Sequence, residues 1–132
     1  MKTSDNPLLQ IYCREIKQYK TLSPEDECRI IARICTGDMA AREILIQSYL
    51  RLVVSIARHP KFCHQEDIMD LIQEGNIGLI QAVDSYQPDS DISFAGFATI
   101  CVRNRLVNFV QKSREELLLD RPVFEDRDEY VT

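Results

Sequence analysis

Apolar residues recur along most of the chain at the three-to-four-residue spacing of amphipathic helices, and polar caps mark where those helices begin. No segment shows a strand pattern long enough to rely on. The pattern predicts an all-α bundle of about five helices with short connections. The first predicted helix begins at Asn6-Pro7, the second runs from Ser23 to Gly37, and the third runs from Asp38 to about His59, before Pro60. After a short loop at 60–65, the fourth runs from about Glu66 to Ser85, and the fifth runs from Ser93 to about Lys112.

Two glycines three residues apart, Gly75 and Gly78, lie inside the fourth predicted helix. Each interior glycine costs a helix about 1 kcal/mol relative to alanine, so their presence indicates that another group approaches the backbone closely. At about 100° per residue, four neighbouring side chains share one arc of this helix. The arc consists of Asp70, Gln73, Glu74 and Ile77. It is either a solvated face beside a tight helix crossing or a surface that binds a partner.

The fifth predicted helix divides into two faces. One face is expected to pack in the core, and it contains Ala95, Ala98, Thr99, Val102, Leu106, Phe109 and Val110. The other contains Phe97, Ile100, Cys101, Asn104, Val107 and Asn108, bordered by Phe94 and Arg105 on one flank and by Arg103 on the other. Aromatic rings stack on bases, amides contact base edges and guanidinium groups bind phosphates, so this second face suits single-stranded DNA. The alternative is that Phe94 and Phe97 are core aromatics.

Charge divides the chain at about residue 114. Residues 115–132 carry seven acids and two arginines, which account for the whole net charge of −5, so residues 1–114 are neutral overall. We therefore expect a helical domain over 1–114 and an acidic linker or tail over 115–132. Residues 92–114 contain no acid and carry Arg103, Arg105, Lys112 and Arg114, a positive stripe compatible with phosphate contacts.

Other kinds of chemistry find little support in the sequence. The five cysteines are widely spread, which is typical of reduced thiols in a cytoplasmic protein, and neither a signal peptide nor a membrane-spanning run is apparent. His59, Cys63 and His64 are irregularly spaced and have no fourth ligand nearby, so we expect no metal site. No phosphate-binding loop or nucleophile motif is present, and we expect neither a cofactor nor enzymatic activity.

The string DLIQEGNIGL at 70–79 resembles the most characteristic segment of the bacterial RNA polymerase sigma factors of the housekeeping, or sigma-seventy, type. The flanking segments 51–58 and 82–86 are similar to the neighbouring helices of the family's central promoter-melting domain, which is called region 2. Residues 6–16 resemble the family's preceding region 1.2 helix. The resemblance covers roughly residues 6–112, and 117–123 resemble the stretch where sigma factors leave this domain. The chain is then either a fragment of a longer sigma factor or a single-domain relative.

The resemblance implies two partners and a role for each surface. Core RNA polymerase would bind through the clamp helices of its largest subunit. Its contacts on this chain would be the arc on the fourth helix together with Asn76, that is Asp70, Gln73, Glu74, Asn76 and Ile77. Promoter DNA, as the non-template strand of the melted minus-ten element, would bind Phe94, Phe97, Ile100, Cys101, Arg103, Asn104, Arg105 and Asn108. Within that set, Phe97 would hold a flipped adenine and Asn104 would read the upstream edge of the element. An anti-sigma factor is a further candidate partner.

The departures from the family pattern lie in the fifth helix. Ile100 and Cys101 stand where housekeeping sigma factors carry a tandem tryptophan pair, and Phe97 stands where tyrosine is usual. The segment 94–103 is closer to alternative sigma factors of the sporulation or stress type. A second function therefore stays open, a sigma-like regulator or decoy that occupies the clamp without opening DNA. A third, duplex binding without polymerase, is disfavoured by the neutral body.

Overall fold

The computed structural model describes residues 6–64 and 66–119, and over these ranges it contains seven α-helices and no β-strand. The predicted all-α fold is confirmed. Residues 120–132, the greater part of the predicted acidic tail, lie outside the described residues. The helices are α1 (Pro7–Ile16), α2 (Pro24–Cys35), α3 (Met39–Ser48), α4 (Leu50–Ala57), α5 (Pro60–Cys63), α6 (Ile68–Ser85) and α7 (Phe94–Leu119).

Side-chain caps begin the helices where the sequence places them. The Asn6 side chain accepts hydrogen bonds from the backbone N–H groups at the start of α1. Ser23 and Asp38 do the same for α2 and α3, and Ser93 Oγ accepts from the backbone N–H of Gly96 in the first turn of α7. These bonds satisfy N–H groups that have no partner inside a helix. The capping residue in the sequence was therefore enough to predict where each of these helices begins.

The third predicted helix is divided at Tyr49 into α3 and α4. The Tyr49 hydroxyl donates to a Glu27 carboxylate oxygen at 2.6 Å, and its ring meets the Phe94 ring edge-on with 5.0 Å between centroids. Burial and the Glu27 carboxylate raise the pKa of Tyr49. The division therefore coincides with contacts to α2 and α7, which lie far from Tyr49 in sequence.

Two further elements differ from the sequence prediction. The segment 60–63, expected within a loop, forms the short helix α5 and buries Phe62. Helix α7 continues seven residues beyond the expected end at Lys112, to Leu119. Residues 115–119, assigned from charge to the tail, are therefore helical.

Helix α6 lies at the centre of the bundle and packs against α3, α4 and α7. A Cβ at Gly75 would lie 2.7 Å from Val53 Cγ1 of α4, and a Cβ at Gly78 would lie 3.0 Å from the Cys101 carbonyl oxygen of α7. The two glycines thus permit the tight helix crossings that were one of the two alternatives for this segment. None of the described helices has the length and apolar character needed to cross a membrane.

Candidate functional site

The outer side of α6 presents three side chains of the predicted polymerase-binding set. Asp70, Gln73 and Ile77 are exposed, with Ile77 39% accessible. Their spacing of three and four residues places them in one row along the helix. The row offers a carboxylate, an amide and an apolar group to a partner.

Glu74 belongs to the same arc but is not a free carboxylate. Arg105 of α7 donates from Nε to Glu74 Oε1 at 3.0 Å. The Glu74 side chain is 26% exposed, so the expected fully exposed arc is corrected at this position. A residue predicted to bind polymerase is therefore paired with a residue predicted to bind DNA.

Asn76 points towards α1. Its Nδ2 donates to the Tyr12 hydroxyl at 3.2 Å, and its Oδ1 is buried without a partner among the described residues. Burial raises the pKa of Tyr12, against the opposing effect of the Asn76 hydrogen bond. In the folded chain this amide joins α1 to α6, and its predicted contact with polymerase stays a prediction.

The core face of α7 is formed by Phe94, Ala98, Val102, Leu106 and Val110. Phe94 is only 2% exposed and meets the rings of Tyr49 and Tyr86, so its expected place on the border of the DNA face is corrected. Conversely Ala95, expected in the core, is exposed. Helical periodicity could not predict these two positions, because it does not show which aromatic ring Tyr49 and Tyr86 enclose.

The opposite side of α7 carries a continuous exposed row. Its members recur at intervals of three, one, three and one residues, as one helix face requires. Four of the five come from the predicted set and Val107 from the same predicted face: Ile100, Arg103, Asn104, Val107 and Asn108. This row, the α7 row, presents an apolar side chain that is 48% exposed at Ile100, two amides and a guanidinium group.

Phe97 and Cys101 lie at the margin between this row and the core. Both are partly buried, and the Phe97 ring packs against Tyr86 with 5.6 Å between centroids. Burial raises the pKa of the Cys101 thiol. Phe97 therefore combines a packing contact with partial exposure, an intermediate between the two alternatives that the sequence left open.

A groove separates the first turns of α6 from the second half of α7. One wall carries Glu66, which precedes α6, and Asp70 and Glu74 of α6. The α7 wall carries Arg105, Asn108, Phe109, Lys112, Ser113 and Glu116. The described acids thus lie mainly on one wall and the cations on the other. The positive stripe predicted on α7 faces acids of α6 over part of its length.

A second basic surface was not predicted. Lys17, Arg51 and Arg58 line a groove between α1 and α4, and none of the described residues along it is acidic. Arg51 donates to the backbone oxygens of Lys17 and Tyr19, and Arg58 donates to Cys13 Sγ at 3.7 Å. Lys17 lies 34 residues before Arg51 in the sequence, so no local run of charge predicts this groove.

Two of the three residues weighed as metal ligands, His59 and Cys63, make other side-chain contacts. His59 Nδ1 accepts from the Lys61 backbone N–H at the start of α5, and Cys63 Sγ donates to the Arg58 carbonyl oxygen. No group of three side chains able to hold a metal ion occurs within 6–64 and 66–119. The His59 and Cys63 side chains therefore bond the backbone at the two ends of α5.

Comparison with known proteins agrees with this architecture. Residues 45–116, from the end of α3 into the last turns of α7, match the Sigma-70 region 2 family model. The RNA polymerase sigma factor RpoS of Coxiella burnetii is 32% identical over 131 residues, which are 98% of this chain and 37% of that protein. The sigma factors SigA of Clostridium acetobutylicum and of a Bacillus species are 38% and 36% identical over 107 and 106 residues, each 80% of this chain and 28% of the relative. The chain spans about a third of the length of these relatives.

Proposed function

The chain belongs to the sigma-70 family of RNA polymerase sigma factors, and from its region 2 match we propose that it binds core RNA polymerase and recognises the melted minus-ten promoter element during transcription initiation. In this proposal the chain is not an enzyme, because the polymerase supplies the chemistry. Its place of action is the cytoplasm, where its partners are found. Both RpoS and SigA proteins are among the relatives, and assignment to the sporulation or stress type stays a prediction.

The observation that carries the DNA part of the proposal is the α7 row. Arg103 is exposed and makes no ion pair among the described residues, so its guanidinium group can bind a phosphate. The amides of Asn104 and Asn108 can donate to and accept from base edges. Phe97, at the margin, supplies a ring for one unpaired base.

The polymerase part of the proposal rests on the outer side of α6. Asp70, Gln73 and Ile77 form a straight row that a helical partner can follow, and coiled-coil clamp helices have that shape. An acid and an amide provide directional contacts, while Ile77 provides apolar area. The opposite side of the helix packs closely on α4 and α7 at its glycines, so the row is left on the outer side.

The α7 row lacks a large aromatic pair. Ile100 is exposed and Cys101 is partly buried. Because neither side chain has an aromatic ring, neither can stack as a wedge at the fork between duplex and single strand. We therefore expect the chain to bind forked or pre-melted DNA better than closed duplex. The same observation supports the second candidate function, a regulator or decoy that occupies the clamp without opening DNA.

Charge reversal on α6 tests the polymerase contact. Asp70→Lys should reduce retention of the chain on immobilised core polymerase by about 30-fold or more, because such a reversal typically costs about 2–5 kcal/mol in an interface. Glu43→Lys, an equal charge change at an exposed position of α3, is the matched control and should be retained like the wild type. Equal retention of all three proteins would refute the assignment of this surface.

Transcription separates the two candidate functions once polymerase binding is established. A sigma factor domain directs core polymerase to start from a pre-melted minus-ten template, whereas a decoy reduces the activity of a second sigma factor without directing any start. The assay therefore compares pre-melted and closed templates with this chain as the added factor.

A further inference from the structure

The groove between α1 and α4 carries positive charge that neither proposed surface uses. Arg51 and Arg58 belong to α4, and Lys17 directly follows the last residue of α1. All three residues are exposed, and none of them takes part in an ion pair among the described residues. Unlike the positive stripe on α7, which faces acids of α6, these cations are therefore available to a negatively charged partner.

The α4 side of the groove is a straight row of three side chains. Arg51, Ser55 and Arg58 are spaced by four and three residues, so they lie on one face of the helix. At about 1.5 Å per residue, the two arginine positions are about 10 Å apart along the helix axis. Two carboxylates seven residues apart on another helix have the same separation. The row therefore matches an acidic helix that lies along α4.

The hydrogen bonds of the two arginines leave donors for such a partner. Arg51 uses Nη2 to donate to the backbone oxygens of Lys17 and Tyr19, and Arg58 uses Nη2 to donate to Cys13 Sγ. A guanidinium group has five N–H donors, so each arginine keeps donors for a carboxylate. Arginine and carboxylate groups also match in a two-bond geometry that gives a contact its direction.

The floor of the groove is apolar. Ile16 of α1 and Val54 of α4 are buried there, and Cys13 and Ser55 add two small side chains. Small side chains at a contact allow helices to approach closely, within the usual distance of about 8–10 Å between axes. A third helix in this groove would place apolar side chains on the floor and carboxylates at the basic rim.

The same groove is poorly suited to nucleic acid. Its described lining contains no aromatic ring to stack on a base and no side-chain amide to contact a base edge. Residues 1–114 are neutral overall, and three cations neutralise few phosphates, so attraction to a polyphosphate backbone is weak. The carboxylates of a polypeptide are therefore the better match for this groove.

We propose that the groove between α1 and α4 binds an acidic amphipathic helix of a second protein. Its carboxylates would pair with Lys17, Arg51 and Arg58, and its apolar side chains would cover Ile16 and Val54. No residue of the groove belongs to the proposed polymerase-binding or DNA-binding set, so this inference goes beyond the proposed function and does not depend on it. The groove is then a third interaction surface of the chain.

The test measures binding of a labelled helical peptide to the full chain at low ionic strength by fluorescence anisotropy. The peptide carries two glutamates seven residues apart, with leucines three and four residues after the first, so that all four share one face. A control peptide has glutamine in place of both glutamates. The acidic peptide should bind about fivefold more tightly than its control, as two exposed ion pairs allow, and its affinity should fall as salt is added.

Neutralising substitutions in the chain locate the binding site. Arg58→Gln and Lys17→Gln should each weaken binding of the acidic peptide about two- to fivefold, the range for one exposed ion pair. Arg103→Gln removes the same charge from an exposed position of α7 and should leave peptide binding unchanged. Circular dichroism confirms that each variant is folded at the temperature used.

A second kind of substitution keeps every arginine in place. Ser55→Glu adds a carboxylate between Arg51 and Arg58, and it should weaken binding of the acidic peptide about tenfold or more, because like charges then meet in the groove. Ala32→Glu adds the same charge at an exposed position of α2 and is the matched control. This pair of variants decides the question if a neutralising variant does not fold.

The inference is overturned if the two peptides bind alike, if neither binds at any concentration tested, or if Ser55→Glu binds the acidic peptide as tightly as Ala32→Glu does. A single-stranded oligonucleotide supplies a further outcome. If Lys17→Gln and Arg58→Gln weaken its binding as much as they weaken peptide binding, the groove is a nucleic-acid surface and the inference fails. Failure of the proposed function appears instead as absence of binding to core polymerase, which leaves this measurement on the chain alone unaffected.

Discussion

At the scale of single residues, the structure assigns different roles to two phenylalanines three positions apart. Phe94 is enclosed by the rings of Tyr49 and Tyr86, whereas Phe97 contacts Tyr86 and remains partly exposed. The sequence placed both near the DNA face, because spacing alone does not show which ring other elements will cover. Similarly, the pairing of Glu74 with Arg105 joins positions 31 residues apart, and no local pattern predicts it.

Truncation of Phe97 tests this difference. Phe97→Ala should weaken binding of the polymerase complex to fork-junction DNA by about 5- to 150-fold, because stacking contributes about 1–3 kcal/mol per base. Its cost in unfolding free energy should be smaller than the about 3–5 kcal/mol expected for Phe94→Ala. Phe109→Ala, at another partly buried ring of α7, is the control and should leave fork binding unchanged. A Phe97→Ala protein that loses stability but keeps full binding to fork-junction DNA would show that Phe97 acts only in core packing.

The ion pair between Arg42 and Asp84 offers a pH-dependent test of packing between α3 and α6. Two hydrogen bonds, at 2.7 and 2.9 Å, join the groups, and Arg42 holds the pKa of Asp84 below its usual range. A lowered carboxyl pKa adds stability that is present above about pH 4 and is lost as the pH falls through the folded-state value. Asp84→Asn should therefore lower the unfolding free energy at pH 7 by less than about 1 kcal/mol, since Asp84 is half exposed. In urea titrations the difference from wild type should shrink below pH 4, and a difference that grows there would contradict this role.

At the scale of the helices, local signals and distant contacts had different predictive value. Caps and glycines are local features, so the starts of α1, α2, α3 and α7 and the close crossings of α6 could be expected from sequence. The division at Tyr49 could not, because the contacts of that side chain involve Glu27 and Phe94. The extension of α7 has a similar explanation, since Leu118 lines a groove with Phe62 of the unpredicted helix α5.

The glycines of α6 make a prediction about helix packing. Gly75→Ala and Gly78→Ala should each destabilise the fold by about 1–3 kcal/mol, because the added methyl group overlaps Val53 in one case and the α7 backbone in the other. This loss exceeds the gain of up to about 1 kcal/mol that alanine brings to a helix interior. Gln81→Ala, at an exposed position of the same helix, is the control and should change the unfolding free energy little. Stabilisation by either glycine variant would show that the crossings are looser than described.

At the scale of the whole molecule, the fold presents two adjoining surfaces on α6 and α7, held together by glycine contacts and one ion pair. The sequence predicted the all-α class, the family and most of the exposed α7 row, because these depend on periodicity and on recognisable strings. It did not predict the basic groove between α1 and α4 or the link between the two proposed surfaces. Both are products of tertiary packing, which brings together charges from separate segments.

We propose that one folded chain binds core polymerase through α6 and melted promoter DNA through α7. The most direct measurement is the retention of a labelled fork-junction minus-ten probe by core polymerase, with and without this chain. We expect the wild-type chain to increase retention of the probe. The triple variant Arg103→Gln, Asn104→Ala and Asn108→Ala should abolish the increase while still co-purifying with polymerase, and Asp70→Lys should lose both the increase and the co-purification. An increase that survives the triple variant, or no increase with a wild-type chain that is bound to polymerase, would show that α7 does not bind the promoter strand as proposed.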